Sequence, residues 1–263
     1  MNDAMKMLKN TSRTFFIPIT KLKGSLQDAV ASAYLCMRAI DEIEDHHDLG
    51  DDYKVDMLKN VSDALQTKEP IASIRMLFAE QKTQLPEVTY RMDEWAELCP
   101  ESAREIVFRH TANMSRQMAE WVHVDWTIDT EQDLDNYTYS VAGMVGELLS
   151  ELWYWHDGTV TDPQKAVAFG RGLQAVNILR NRKEDMERGV DFYPKGWEMA
   201  EMLQYTKRNL GVADEYIKDL KDGQARTFCK IPLTLAHATV KLISAGGNKL
   251  TRDTVLRLVN SIT

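Results

Sequence analysis

Ala29-Val30-Ala31-Ser32-Ala33-Tyr34-Leu35-Cys36-Met37-Arg38-Ala39-Ile40-Asp41-Glu42-Ile43-Glu44-Asp45 is the stretch that decides the fold. Its first part is apolar or small on more than one helical face, which places the helix in the middle of a bundle rather than at a surface. It then runs into four carboxylates, Asp41, Glu42, Glu44 and Asp45. Asp41 and Asp45 stand at i and i+4 and share a face, where like charges repel by a few tenths of a kcal/mol. A cation between them removes that conflict. Oxygen-only donors favour Mg²⁺, which takes one or two carboxylates together with substrate phosphates. A solvated acidic helix end is the competing reading.

Outward from this helix the chain keeps to helical signals. Pro70, Pro86, Pro100, Pro163 and Pro194 fall where helices should end, and no proline lies between Glu101 and Asp162. Apolar residues recur three to four apart, as in Ala112, Met114, Met118, Trp121 and Val122, and again in Val141, Val145, Leu148, Leu149 and Leu152. Predicted helices run over Leu26–His47, Asp52–Gln66, Ile71–Lys82, Glu87–Leu98, Glu101–Val124, Gln132–Trp155, Pro163–Glu187, Lys207–Leu220, Ala225–Ser244 and Thr251–Val259. No linker and no repeat divides them. They predict one all-α domain over residues 1–263, a helical bundle around a central apolar cavity.

Composition narrows the partners. Hydrophobic residues are 44% and charged residues 27% of 263, which excludes general disorder. With 32 Lys and Arg against 40 Asp and Glu, the net charge of −8 speaks against duplex nucleic acid. Cys36, Cys99 and Cys229 are odd in number and form no CxxC pair, so neither a disulfide framework nor a thiolate zinc site is expected. No eighteen apolar residues run together and the first ten residues lack a signal-peptide core. A cytoplasmic protein is expected, with peripheral membrane contact left open.

Three further clusters carry chemistry. In Gln174-Ala175-Val176-Asn177-Ile178-Leu179-Arg180-Asn181-Arg182-Lys183-Glu184-Asp185, the oxygens of Asn177, Asn181 and Asp185 fall at i, i+4 and i+8. Gln174 lies one turn earlier, and Arg180, Arg182 and Lys183 add cations. Such a helix facing the first acidic one makes a metal-bridged site for a polyanion such as a diphosphate. An ordinary charged amphipathic helix is the competing reading. Ser12-Arg13-Thr14-Phe15-Phe16 offers two hydroxyls and a guanidinium for phosphate oxygens, or a helix cap. Tyr137 opens a run to Gly146 whose small residues let helices approach closely.

These elements, in this order, resemble the squalene/phytoene synthase family. The likeness rests on Ser12-Arg13-Thr14-Phe15, Arg38 through Asp45, Met118-Ala119-Glu120-Trp121, Tyr137 through Gly146, Asn177 through Asp185, Asp191-Phe192-Tyr193-Pro194 and Phe228-Cys229-Lys230-Ile231-Pro232. It implies the all-α isoprenoid-synthase fold and the use of Mg²⁺ to ionise prenyl diphosphates, two of which are joined head to head. The family's first aspartate motif maps onto Asp41 and Asp45, and its preceding basic residue onto Arg38. Its diphosphate-holding cluster maps onto Ser12, Arg13 and Thr14, and its active-site tyrosine onto Tyr137. Its glutamine and asparagine before the second motif map onto Gln174 and Asn177.

The resemblance has departures. The second motif, Asp-x-x-x-Asp in the family, begins here with Asn181 and ends with Asp185. Ser115 stands where the family has a glycine, and Val190 where it commonly has an arginine. Losing a charge at Asn181 weakens the second metal cluster. Ionising one diphosphate survives such a loss more easily than steering a cation onto a second chain, since that step depends on orientation.

The expectation is therefore a cytoplasmic, monomeric enzyme that hydrolyses farnesyl diphosphate to farnesol. Head-to-head condensation to presqualene diphosphate, squalene or dehydrosqualene is the alternative. Asp41, Asp45, Asn177, Asn181 and Asp185 would bracket Mg²⁺. Ser12, Arg13, Thr14, Arg38, Gln174 and Arg180 would bind the diphosphate, and Phe15, Tyr137 and Phe228 would line the prenyl pocket. Phe16, Trp121, Trp153 and Trp155 are expected in the core. Two remoter readings are a di-iron bundle, on the Glu44-x-x-His47 and Glu120-x-x-His123 pairs, and a non-catalytic helical assembly factor.

Overall fold

The apolar stretch and its acidic end form one continuous helix. In the computed structural model, which describes residues 3–12, 14–79, 85–187 and 189–262, there is no strand among the described residues. Two short helices, α1 (Asp3–Thr11) and α2 (Phe16–Lys21), precede α3 (Gly24–Glu44). Along α3 Ala29, Val30, Ala33, Cys36, Met37 and Ile40 are all buried, so the helix is covered on more than one face as the sequence requires. Its acidic end is where burial stops.

The chain then turns into α4 (Asp51–Leu65) and α5 (Pro70–Phe78). Next come α6 (Glu87–Tyr90) and α7 (Met92–Leu98), a 3₁₀ turn (Glu101–Ala103) and α8 (Arg104–His123). The helix expected over Glu87–Leu98 is thus broken at Arg91. Thr89 Oγ1 donates to the Ala39 carbonyl of α3 at 3.1 Å and Trp95 Nε1 donates to the Val88 carbonyl at 2.8 Å, which pins a short β-branched segment in place. α4 lies against α8 through Met57, Leu58, Val61 and Leu65. There Ser115, the serine in the family's glycine position, is fully buried and donates to the Leu58 carbonyl at 2.7 Å. The hydroxyl therefore costs little, because its hydrogen bond is made.

From Trp126 onward the order is α9 (Glu131–Thr138), a π-helical turn (Tyr139–Gly143), α10 (Met144–Asp157), α11 (Pro163–Glu187), α12 (Met199–Asp219), α13 (Gln224–Ser244) and α14 (Arg252–Asn260). A capping box starts α9: the Asp133 backbone N–H donates to Thr130 Oγ1 and the Thr130 N–H donates back to Asp133 Oδ2 at 2.8 Å. The helix expected over Gln132–Trp155 is interrupted by the π turn, which adds a residue and re-aims Ala142 and Gly143 toward α11. The reason is contact. A Cβ on Gly146 would stand 1.9 Å from the Ala166 carbonyl oxygen, and one on Gly170 would stand 2.0 Å from that of Ala142. Only hydrogen fits at either position. α12 begins two turns earlier than expected, again with a capping box, at Glu198 and Glu201.

The chain divides into two compact units, Met1–Asp125 and Trp126–Thr263. Each buries its own apolar face: α3, α4 and α8 in the first, α10, α11, α12 and α13 in the second. Among the described residues no helix is long and apolar enough to cross a membrane.

Candidate functional site

In the first unit the N-terminal hydroxyl cluster meets the helix that carries the acidic residues. Ser12, buried at the end of α1, accepts a hydrogen bond from the Phe15 backbone N–H at 2.9 Å and bonds the Tyr34 hydroxyl. The rings of Phe15 and Tyr34 lie 5.8 Å apart, tilted by 40°. Burial raises the Tyr34 phenol above its ordinary range, with the Ser12 bond and Arg38 opposing and Asp41 adding to the rise. Tyr34 is a candidate site residue that sequence reasoning missed. It lies seven residues, about two turns, before Asp41 and so on the same side of α3, a spacing that could have found it. Thr14 is exposed, and Arg13 lies outside the described residues.

One turn on, Arg38 reaches two of the carboxylates. Its Nη1 is 3.6 Å from Asp41 Oδ2, and its Nη2 is bonded to Glu42, which the sequence reading had not assigned. Arg38 Nε is buried without a hydrogen-bond partner among the described residues. Desolvation acts to lower the guanidinium pKa, but Asp41 and Glu42 outweigh it and the net shift is upward. Asp41 keeps 31% of its side-chain surface, yet its carboxyl is crowded by protein atoms. That desolvation, against Arg38 and with the help of Asp45 and Glu42, pushes its pKa up to about 7. Asp45 is exposed and caps α3, its N–H donating to the Asp41 carbonyl at 2.8 Å. Four carboxylates, Glu44 included, and one guanidinium leave this end of α3 negative, with oxygen donors only.

In the second unit, α11 carries the other cluster. Asn177 is exposed, Asn181 half-buried and Asp185 buried, because a stripe at i, i+4 and i+8 rotates by about 40° at each step of a 3.6-residue helix. Arg180 fills the stripe. Its Nη2 donates to Asn177 Oδ1 at 3.0 Å and its Nε to Asn181 Oδ1 at 3.1 Å. Asn177 Nδ2 in turn donates to Gln174 Oε1 at 3.3 Å. The other two cations are committed elsewhere. Arg182 pairs with Asp191 at 2.8 Å and lies 3.8 Å over the Tyr193 ring, while Lys183 is 91% exposed.

The aromatic residues divide. Tyr137 is buried and stacks on Phe192, with centroids 4.6 Å apart. Phe228, expected in a prenyl pocket, is fully buried with its ring edge-on to Trp153 at 5.6 Å, so its contacts are those of core packing. Trp153 is core as expected, whereas Phe16, Trp121 and Trp155 are half-buried. For the di-iron reading, Glu120 and His123 are both exposed on α8 and do not project into a core. No group of three or more His, Cys, Asp or Glu among the described residues could hold a metal by itself.

A family model described as squalene/phytoene synthase matches residues 8–197, most of the chain and both acidic clusters. The chain belongs to the squalene/phytoene synthase family. Among relatives bearing that chemistry in their names, the squalene synthase of Yarrowia lipolytica is 28% identical over 282 residues, covering 96% of this chain and 63% of that protein. The squalene synthase of Rattus norvegicus is 29% identical over 268 residues, covering 89% and 62%. The chain thus spans less than two thirds of the length of these family members. A solved complex of TcSQS with a ligand superposes with a TM-score of 0.81 at 22% identity, over 99% of this chain and 85% of that one. A solved dehydrosqualene synthase in complex with a ligand gives 0.62 at 15% identity, over 98% and 93%. These likenesses show the fold, the all-helical one of isoprenoid synthases.

Proposed function

We propose that the protein is a Mg²⁺-dependent prenyl-diphosphate enzyme that joins two farnesyl diphosphates head to head. The observation that carries this is the family match over residues 8–197, which spans both motif helices and reaches from the first compact unit into the second. It also supports treating the two units as one functional domain. Relatives named squalene synthase favour condensation over the hydrolysis that the sequence reading preferred.

The donor set at the end of α3 suits Mg²⁺. Asp41 and Asp45 supply hard oxygens, and Asp41, raised first by desolvation and then by Asp45 and Glu42, has a carboxylate that a bound cation would stabilise. Bound there, Mg²⁺ would supply charge neutralisation for a departing diphosphate. The residues of the chain do the rest. The buried, unpartnered Nε of Arg38 is a donor suited to a phosphate oxygen, and its bonds to Asp41 and Glu42 hold the guanidinium in place. The Ser12–Tyr34 pair fixes the phenol on the same side of α3, where its ring and that of Phe15 give an aromatic wall to a prenyl chain. Tyr137, braced by Phe192, would play the same part in the second unit.

Hydrolysis to farnesol is kept as the second reading because of one residue, Asn181, which removes a carboxylate from the second motif. Incubation with farnesyl diphosphate and Mg²⁺, with and without NADPH, followed by product identification, separates the two. A C30 product is expected. Farnesol alone would transfer support to the hydrolase, and no turnover would leave a non-catalytic family member.

A further inference from the structure

The two motif helices differ in electrostatic character. At the end of α3, Asp41, Glu42 and Asp45 outnumber Arg38. On α11 the corresponding stripe, Gln174, Asn177, Arg180, Asn181 and Asp185, has one anion and one cation, and its solvent-accessible part, up to Asn181, has the cation alone. The anion, Asp185, is buried and has partners of its own. The amide oxygens of the second stripe are also already engaged. Both amide oxygens that would face the metal accept from the Arg180 guanidinium, at 3.0 and 3.1 Å. A carbonyl oxygen has a second lone pair, but a divalent cation using it would sit directly beside a fixed positive charge.

The same contacts prepare Arg180 for an anion. A guanidinium offers a side edge, Nε with Nη2, and an end edge, Nη1 with Nη2. Here the two amides occupy the side edge, and the end edge donates to no described residue. Gln174 extends the clamp by accepting from Asn177 Nδ2. The side chain is thereby held in one orientation before any ligand arrives, which lowers the entropy lost on binding. Paired oxygens of a phosphate match a free guanidinium edge in a bidentate way.

We propose that the second motif of this chain is an anion site rather than a metal site: Arg180, clamped by Asn177 and Asn181, binds a diphosphate directly, and divalent metal enters only through Asp41 and Asp45. This rests on the prenyl-diphosphate reading for its substrate class, but not on whether the reaction is condensation or hydrolysis. It assigns Asn181 a positive role. An aspartate there would draw the guanidinium into an ion pair and open a second metal position; an asparagine orients it while leaving its charge for the ligand.

Inorganic diphosphate and Mn²⁺ are the probes, used on the full chain. In EDTA, calorimetry should detect diphosphate binding to the wild type, and Arg180→Gln should lose at least tenfold in affinity. Arg180→Lys, which keeps the charge but not the planar edge, should lose nearly as much. With diphosphate saturating, electron paramagnetic resonance should count at least one more bound Mn²⁺ per chain in Asn181→Asp than in the wild type. Circular dichroism confirms that each variant is folded. Equal Mn²⁺ counts in wild type and Asn181→Asp, or undiminished metal-free diphosphate binding by both Arg180 variants, would overturn the proposal while leaving the enzyme reading intact. A wild type that binds diphosphate neither with Mn²⁺ nor in EDTA would overturn both.

Discussion

Asp41 shows at the scale of one residue how a site strains against stability. Its carboxyl is raised to about 7 by desolvation first and by Asp45 and Glu42 after it, with Arg38 opposing. The folded protein therefore holds that proton more tightly than the unfolded chain. The stabilising contribution is complete below the ordinary carboxylate range and is lost as pH rises through about 7. Asp41→Asn should remove the penalty. In metal-free buffer at pH 8 it should raise stability by about 1–2 kcal/mol, a shift discounted for a side chain that keeps 31% of its surface. The same variant should abolish diphosphate release. Thermal unfolding and a diphosphate assay check the pair, and a drop in stability would show that Asp41 is held by contacts stronger than its repulsion.

The three cysteines give a second prediction at this scale. Cys36, Cys99 and Cys229 are all buried and free. Desolvation raises each thiol, that of Cys99 to about 11 against the weaker lowering by Ser32 and Arg104. The thiolate is the reactive form, so an aromatic disulfide reagent at pH 8 should find almost no fast thiol in the native protein and three after unfolding. One rapid equivalent in the native state would contradict this burial.

At the scale of elements, α3, α4, α11 and α13 were legible nearly to their ends, because long apolar periodicity and proline or glycine boundaries agree there. The short α1 and α2 were not, since nine and six residues carry too few turns for a period to show. The breaks at Arg91 and at Tyr139–Gly143 were also hidden. They are imposed by a hydrogen bond to α3 in one case and by the approach of α11 in the other. The glycines allow a direct test. Gly146→Ala and Gly170→Ala each force a methyl group into a backbone carbonyl of a neighbouring helical segment and should destabilise by about 2–4 kcal/mol. Gly211, inside α12 with open space around it, is the control. Its change to Ala should stabilise by roughly 0.5–1 kcal/mol. Denaturant unfolding distinguishes these outcomes, and similar small effects at all three positions would argue against the tight helix contact.

At the scale of the whole molecule, the net charge of −8 looks ill-suited to a polyanionic substrate. The proposed division of labour resolves that conflict in two ways. Excess carboxylates at the end of α3 recruit the cation that receives a phosphate, and a clamped guanidinium on α11 receives one without metal. A prediction belongs to this scale. Because only one motif depends on metal, raising Mg²⁺ should saturate turnover along a curve with a Hill coefficient near one. Marked cooperativity in Mg²⁺ would favour metal at both motifs.

The amino-acid sequence by itself determined the helical class, the succession of the long helices and the two motif stretches. These depend on local periodicity and on residue types at fixed spacing along one helix. Only the tertiary structure decided that Tyr34 joins Ser12 and Phe15, that Phe228 packs edge-on against Trp153, and that Thr89 breaks a helix to reach α3. The side-chain geometry likewise decided that the Asn177 and Asn181 oxygens face a guanidinium. Spacing says which side chains share a face. The rotation of that face, the burial of each group and the direction of each hydrogen bond come from what packs against it.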